Sequence, residues 1–142
     1  MSRRDEKLRA FVRFAVDLSD LSTCKRLKVG CVVVTPELTE VLAIGYNGPP
    51  SGTSNDSCRG ETPCGCVHAE ANALVKLKSA KDHLILITTK SPCEHCAGLI
   101  LNSRSIESLI YVDDYRDPTG RILIETTSAI KVERMTCQKQ DN

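Results

Sequence analysis

The sequence predicts an α/β fold, a five-stranded mixed sheet in three layers with helices against both faces. Three observations predict it. An apolar stripe at helical spacing opens the chain, two β-like runs meet at a turn around Pro36, and strand-like and helix-like segments then alternate. Such alternation covers a sheet on both faces, and the two adjoining β-runs add an antiparallel hairpin at its start. The 142 residues suit one domain, spanning 1–142, around a single hydrophobic core.

Residues 5–19 carry Leu8, Phe11, Val12, Ala15, Val16 and Leu18 at helical spacing. KVGCVVVT (28–35) and EVLAIGY (40–46) read as strands. NGPPSGTSNDSCRGETPCGCV (47–67) is rich in Gly, Pro, Ser and Asn and reads as a loop. HAEANALVKLKS (68–79) reads as a helix and HLILITT (83–89) as a short buried strand. CEHCAGLILNSR (93–104) reads as a helix opened by Pro92, whose fixed φ suits a first turn. ESLIYVD (107–113) is a further strand, and a helix near 119–128 and a strand near 129–134 complete the order.

Composition narrows the function classes. Nineteen basic and 18 acidic residues leave a net charge of +1, which argues against gripping nucleic acid by bulk charge. Two Phe, three Tyr and no Trp provide no stacking platform for a single strand. The first twenty residues contain no apolar core of signal-peptide length, and no stretch is long and apolar enough to span a bilayer. The expectation is a soluble, cytoplasmic protein without a membrane or stable nucleic-acid partner. In that setting eight cysteines point to metal or catalysis rather than disulfides.

His68, Glu70, Cys93 and Cys96 stand as H-A-E and, 22 residues after the Glu, P-C-E-H-C. Cys93 and Cys96 are three apart, so at a helix start both sulfurs share a face, and the helix N-terminus favours their thiolates. With a neutral His68 they make three ligands suited to Zn²⁺ with an open fourth position. The ion and these ligands sum to zero formal charge, so a water bound there needs a nearby base to lose its proton. Glu70 is placed to take it and to pass it on as a general acid. H-x-E…P-C-x-x-C is the signature of zinc deaminases. The competing reading is a structural zinc with Glu70 on the helix surface, though a closed site would want a fourth protein ligand. His95 and His83 lack clustered partners and read as a solvated and a structural residue. Cys31 reads as a small core residue and Cys137 as a free thiol.

With these residues in hand, the chain resembles the deoxycytidylate (dCMP) deaminases of the cytidine deaminase superfamily over residues 8 to 134. STCKRLKVG (22–30), GYNGPPSG (45–52), HAEANA (68–73) and SPCEHC (91–96) carry the resemblance, with a weaker block at YVDDYRDP (111–118). It implies the cytidine-deaminase-like fold and hydrolytic loss of ammonia from C4 of a deoxycytidine nucleotide, dCMP to dUMP. By position, it implies that His68, Cys93 and Cys96 hold a catalytic zinc whose activated water attacks C4, with Glu70 shuttling protons. The backbone around Ala69 and Ser91 would hold the base and Asn47 the sugar. Arg26, Tyr115 and Arg116 would meet the phosphate; Lys25, Lys28 and Arg121 are further cations near them in sequence. A homo-hexamer activated by dCTP with Mg²⁺ and inhibited by dTTP is also implied. The resemblance leaves the choice between dCMP and dCTP as substrate open.

Four cysteines remain. Some members of the resembled family carry a second, structural zinc, and Cys24, Cys58 and Cys64 sit at comparable positions, with Cys66 departing from the usual pattern. A 21-residue loop is uncommon in a compact domain unless functional or pinned, and a closed zinc on Cys24, Cys58, Cys64 and Cys66 would pin it. Two other functions compete with the leading one. A deaminase acting on a base in RNA or single-stranded DNA would need a basic, aromatic groove. A zinc-stabilised nucleotide sensor would bind without turnover.

Overall fold

The structure, a computed structural model of the chain, describes residues 1–78 and 81–137. Its elements are α1 (Arg3–Ser19), β1 (Gly30–Val34), β2 (Val41–Tyr46), α2 (Ala69–Lys76), β3 (Leu84–Lys90), α3 (Glu94–Ser103), β4 (Ile106–Asp113), α4 (Thr119–Glu125) and β5 (Lys131–Arg134), with a 3₁₀ turn at Asn55–Ser57. The order is the expected one. One five-stranded sheet runs β2-β1-β3-β4-β5. β1 pairs antiparallel with β2 and β3, whereas β3–β4 and β4–β5 are parallel. Among the described residues, no helix is long and apolar enough to cross a membrane.

Side-chain alternation along the strands makes the three layers. Val32, Val34, Ile85, Ile87 and Ile110 pack under Leu8, Val12, Ala15 and Leu18 of α1. Cys31, Val33, Leu84, Leu86 and Leu109 pack on the opposite side under Ala69 and Ala73 of α2, Ala97 and Ile100 of α3, and Ile124 of α4. Period-two strands and a 3.6-period helix are both satisfied by this arrangement. Ser2 caps α1 through a capping box with Asp5, which sets the start of the helix.

Several boundaries differ from the sequence expectation for local reasons. α2 ends at Lys76, because Leu77 is already extended; the expected last residue, 79, lies outside the described residues. α3 starts at Glu94 with Cys93 as its cap, so Pro92 precedes the cap instead of occupying the first turn. α4 stops at Glu125, with Thr126 and Thr127 turning their hydroxyls back to carbonyls of the last turn. The loop after β2 is closed at its base, where Gly48 and Val67 exchange two backbone hydrogen bonds of 3.2 and 2.7 Å. It also holds the 3₁₀ turn, which Ser54 caps.

Two glycines permit close backbone contacts. A methyl on Gly45 of β2 would overlap the Ala69 carbonyl oxygen and crowd the Ala73 nitrogen, so α2 lies directly on the sheet there. A methyl on Gly120 would overlap the Pro92 and Cys93 backbone, so α4 rests on the turn that opens α3. Gly45→Ala should therefore push α2 off the sheet, at a cost of about 1–3 kcal/mol. The expected result is a lower urea midpoint with an unchanged m-value; a midpoint equal to that of the unsubstituted chain would count against this contact.

Candidate active site

The N-termini of α2 and α3 meet beside the end of β3. His68 caps α2 and Cys93 caps α3, and Glu70 and Cys96 lie in the first turns of the two helices. The Cys93 and Cys96 sulfurs are each 3.4 Å from His68 Nδ1. All three ligand atoms lie within 4.8 Å of one another. Tetrahedral zinc, with Zn–S near 2.3 Å and Zn–N near 2.0 Å, would set sulfur and nitrogen about 3.5 Å apart. The residues present fit that ion, with Nδ1 as the imidazole ligand.

The electrostatics suit a cation. Hydrogen bonding from Cys96, with help from His68, lowers the Cys93 thiol to about 4. The Cys96 thiol is pushed up, chiefly by the same contact with Cys93. Contact with Cys93 also raises the His68 pKa. Glu70 is only 4% exposed, and burial raises its pKa above the ordinary carboxylate range. Thr88 of β3 donates its hydroxyl to Glu70 Oε1 at 3.3 Å.

A cleft with about 500 Å³ of empty space opens over these groups. His68, Glu70, Cys93, Ala69, Ser91, Asn47, Arg26 and Tyr115 all line it. Arg116 does not; it lines an adjoining hollow of about 700 Å³, shared with Arg26, Lys90 and Tyr115. Its guanidinium lies 5.8 Å from the Tyr115 ring centroid, within cation–π range. Asn47 is buried, accepting from the Val29 N–H at 2.8 Å and donating to the Leu27 carbonyl at 2.6 Å. One amide N–H and one lone pair remain for a ligand. The Ser91 N–H goes to the Asp113 carbonyl at 3.0 Å, and the Ser91 hydroxyl accepts from the Tyr115 N–H at 2.8 Å. That second bond ties the loop after β4 to the cleft.

Sequence reasoning passed over Lys90 and Thr88. Lys90 ends an apolar strand just before S-P-C, and this lone charge was the available signal. Thr88 follows Leu84 and Leu86 in the row of β3 that faces α2 and α3, where a hydroxyl has no packing reason. His95 and His83 are exposed and outside the cluster; His83 Nδ1 meets Glu107 Oε2 at 3.1 Å. Cys31 is a core residue, as expected.

A second cluster, Cys24, Cys58, Cys64 and Cys66, forms where the long loop reaches the connection from α1 to β1. Its four sulfurs lie within 4.8 Å of one another, and the Cys24 and Cys64 sulfurs are 3.9 Å apart. The backbone N–H groups of Lys25 and Gly60 lower the Cys58 thiol to about 6.

Comparison with known proteins agrees with this geometry. Residues 5–113 match the cytidine and deoxycytidylate deaminase zinc-binding region. The chain belongs to the cytidine and deoxycytidylate deaminase family. Among its relatives is a deoxycytidylate deaminase of Mycobacterium phage D29, 37% identical over 120 residues, an alignment covering 71% of this chain and 90% of that protein. The deoxycytidylate deaminase of Schizosaccharomyces pombe is 31% identical over 120 residues, and the match spans only 36% of its length. The dCMP deaminase of cyanophage S-TIM5, solved in complex with dCMP and dUMP, superposes with a TM-score of 0.80 at 34% identity, covering 95% of this chain and 99% of that one. A diaminohydroxyphosphoribosylaminopyrimidine deaminase/5-amino-6-(5-phosphoribosylamino)uracil reductase of Thermotoga maritima shares the fold, with a TM-score of 0.68 at 22% identity over 93% of this chain and 37% of that one.

Membership and geometry together make zinc the metal for which this deaminase-family site is built. Cys93→Ala should remove one zinc equivalent per chain in elemental analysis of carefully desalted protein. An unchanged zinc content would exclude Cys93 as a ligand.

Proposed function

We propose that this chain hydrolytically deaminates deoxycytidine nucleotides at C4, converting dCMP to dUMP with release of ammonia and so supplying dUMP for thymidylate synthesis. The observation that carries the reading is one cleft lined by a buried carboxylate, a zinc-type ligand set and a cation. A zinc held by His68, Cys93 and Cys96 would supply an activated water at neutral pH. Glu70 would carry one proton from that water to the ring nitrogen beside C4, and then the proton of the hydroxyl added at C4 to the amine, which leaves as ammonia. Burial, which raises the Glu70 pKa, suits a group that must both accept and give a proton.

The lining of the cleft supports the following roles. The Ser91 carbonyl and the backbone at Ala69, on the first turn of α2, receive the edge of the base. Asn47 receives the sugar through its free N–H. Arg26 and Tyr115 take the first phosphate. Arg116, displaced into the adjoining hollow with Lys90, is placed for a longer phosphate chain such as that of dCTP. Cys24, Cys58, Cys64 and Cys66 hold a second, structural zinc, because a tetrahedral ion separates its sulfurs by about 3.8 Å and the Cys24–Cys64 spacing is 3.9 Å. The family resemblance extends the proposal to residues 1–142 working as one domain in a cytoplasmic homo-hexamer, activated by dCTP with Mg²⁺ and inhibited by dTTP.

Ammonia release from deoxycytidine, CMP, dCMP, dCTP and a short cytosine-containing single strand tests the assignment. Turnover confined to deoxynucleotides is expected. Turnover only on the strand would move the chain to nucleic-acid deaminases, and binding without turnover would make it a sensor. Glu70→Ala should lower kcat by roughly 10²–10⁴-fold with zinc and fold retained; near-normal turnover would rule out the proton-shuttle role. Arg26→Ala should raise KM for dCMP with zinc content and fold retained; an unchanged KM would remove Arg26 from the phosphate. Two zinc ions per chain are expected, and one ion in fully loaded protein would sink the structural site.

A further inference from the structure

We propose that Thr88 is a positioning residue for the reaction. Its hydroxyl holds one oxygen of Glu70 against the sheet, so that the other oxygen faces the cleft. The inference rests on the proton-shuttle reading of Glu70.

Alternation along β3 points Leu84, Leu86 and Thr88 toward α2 and α3, and the first two are wholly buried in the core there. Thr88 is itself 0% exposed. An apolar β-branched residue would continue the row, so the hydroxyl at this position calls for a partner. Its single proton is shared between two acceptors, the Lys90 carbonyl at 3.0 Å and Glu70 Oε1 at 3.3 Å. The Lys90 contact is local, two residues along the same strand. The Glu70 contact crosses from β3 to α2 and connects the floor of the cleft to the group that handles the proton.

Few other groups fix this carboxylate. Its further hydrogen bonds come from its own backbone and from Cys96, and the Cys96 sulfur belongs to the metal set. Because α2 lies directly on Gly45, Glu70 descends to the sheet between two neighbours, and β1 and β3 pair Cys31 with Thr88 beneath it. Of the two, the Thr88 hydroxyl is the one that donates to Glu70. A carboxylate free to rotate at χ3 would spend part of its time with neither oxygen aligned for transfer, and small misplacements of a catalytic group are costly in rate.

The test uses full-length, zinc-loaded protein and the variants Thr88→Val, which keeps the shape and removes the hydroxyl, and Thr88→Ser, which restores it. Thr88→Val should lower kcat on dCMP about tenfold or more, with KM within twofold and zinc content unchanged, and Thr88→Ser should recover most of the loss. A role limited to the Lys90 carbonyl would disturb the adjoining Ser91 and Lys90 walls of the cleft and raise KM. That pattern, or kcat within twofold of the parent in Thr88→Val, would overturn the proposal. Crystal structures of the parent and Thr88→Val read the positioning directly, independent of substrate. The Glu70 carboxylate should leave its place in the variant, and an unmoved carboxylate would overturn the proposal even if the parent proved inactive on dCMP. An inactive parent would instead refute the assigned function.

Discussion

Backbone contact between α2 and β2 at Gly45 sets the height of the whole site. With no side chain there, the helix drops until its first turn lies against the sheet. His68 and Glu70, at the cap and in the first turn, come down with it. A second close contact, α4 on the turn at Pro92 and Cys93, holds the start of α3 from the other side. Two helix N-termini are thereby fixed side by side, and the metal set needs no other scaffold. Its spacing follows from two caps and one first turn, all determined by where the helices begin.

That placement also carries an electrostatic cost. A carboxylate in a nearly dry site favours its neutral form, as the upward shift of Glu70 reflects. The same burial, together with Glu70 nearby, pushes the Cys31 thiol beneath it well above its ordinary value, so that side chain stays neutral and packs as core. The helix N-termini offset part of this cost, since unpaired backbone N–H groups favour negative charge. Anionic ligands at Cys93 and Cys96 and an acidic group at Glu70 thus crowd into one place that two helix ends make tolerable. A divalent cation completes the balance, which is the physical reason a zinc-binding family uses this geometry.

Much of this was legible in the chain. The strands and helices followed from period, and the metal set from H-A-E and P-C-E-H-C, because ligand spacing on a helix start is local information. The long loop was only half legible. Its composition announced a loop, but its closure by Gly48 and Val67 joins residues nineteen apart, and no local pattern encodes that pairing. Thr88 escaped because threonine is an ordinary strand former, and its hydroxyl gains meaning only from α2 lying above it. Arg116 was grouped with Arg26 and Tyr115 by position in the resembled family, and all three line the hollow beside the cleft. Sequence identifies the chemistry a residue offers; the direction in which it is offered depends on contacts distant along the chain.

The four-cysteine cluster shows how such distant contacts organise the site. Cys24, Cys64 and Cys66 belong to that cluster and also line the cleft. Arg26 stands two residues after Cys24. Against the effect of burial, the Cys66 backbone N–H, then the neighbouring thiols and Arg26, lower the Cys64 pKa. Lys25, between Cys24 and Arg26, gives its N–H to Cys58 at 3.4 Å. The loop is therefore gathered onto the same short segment that presents the cation to the mouth of the cleft. The packing of the four cysteines fixes the backbone from which Arg26 reaches, and an exposed arginine on an otherwise irregular connection acquires a defined position. The catalytic end of the cleft is set by helix starts on the sheet and the outer end by a long loop gathered onto the connection from α1 to β1, two different solutions to placing side chains in one cavity.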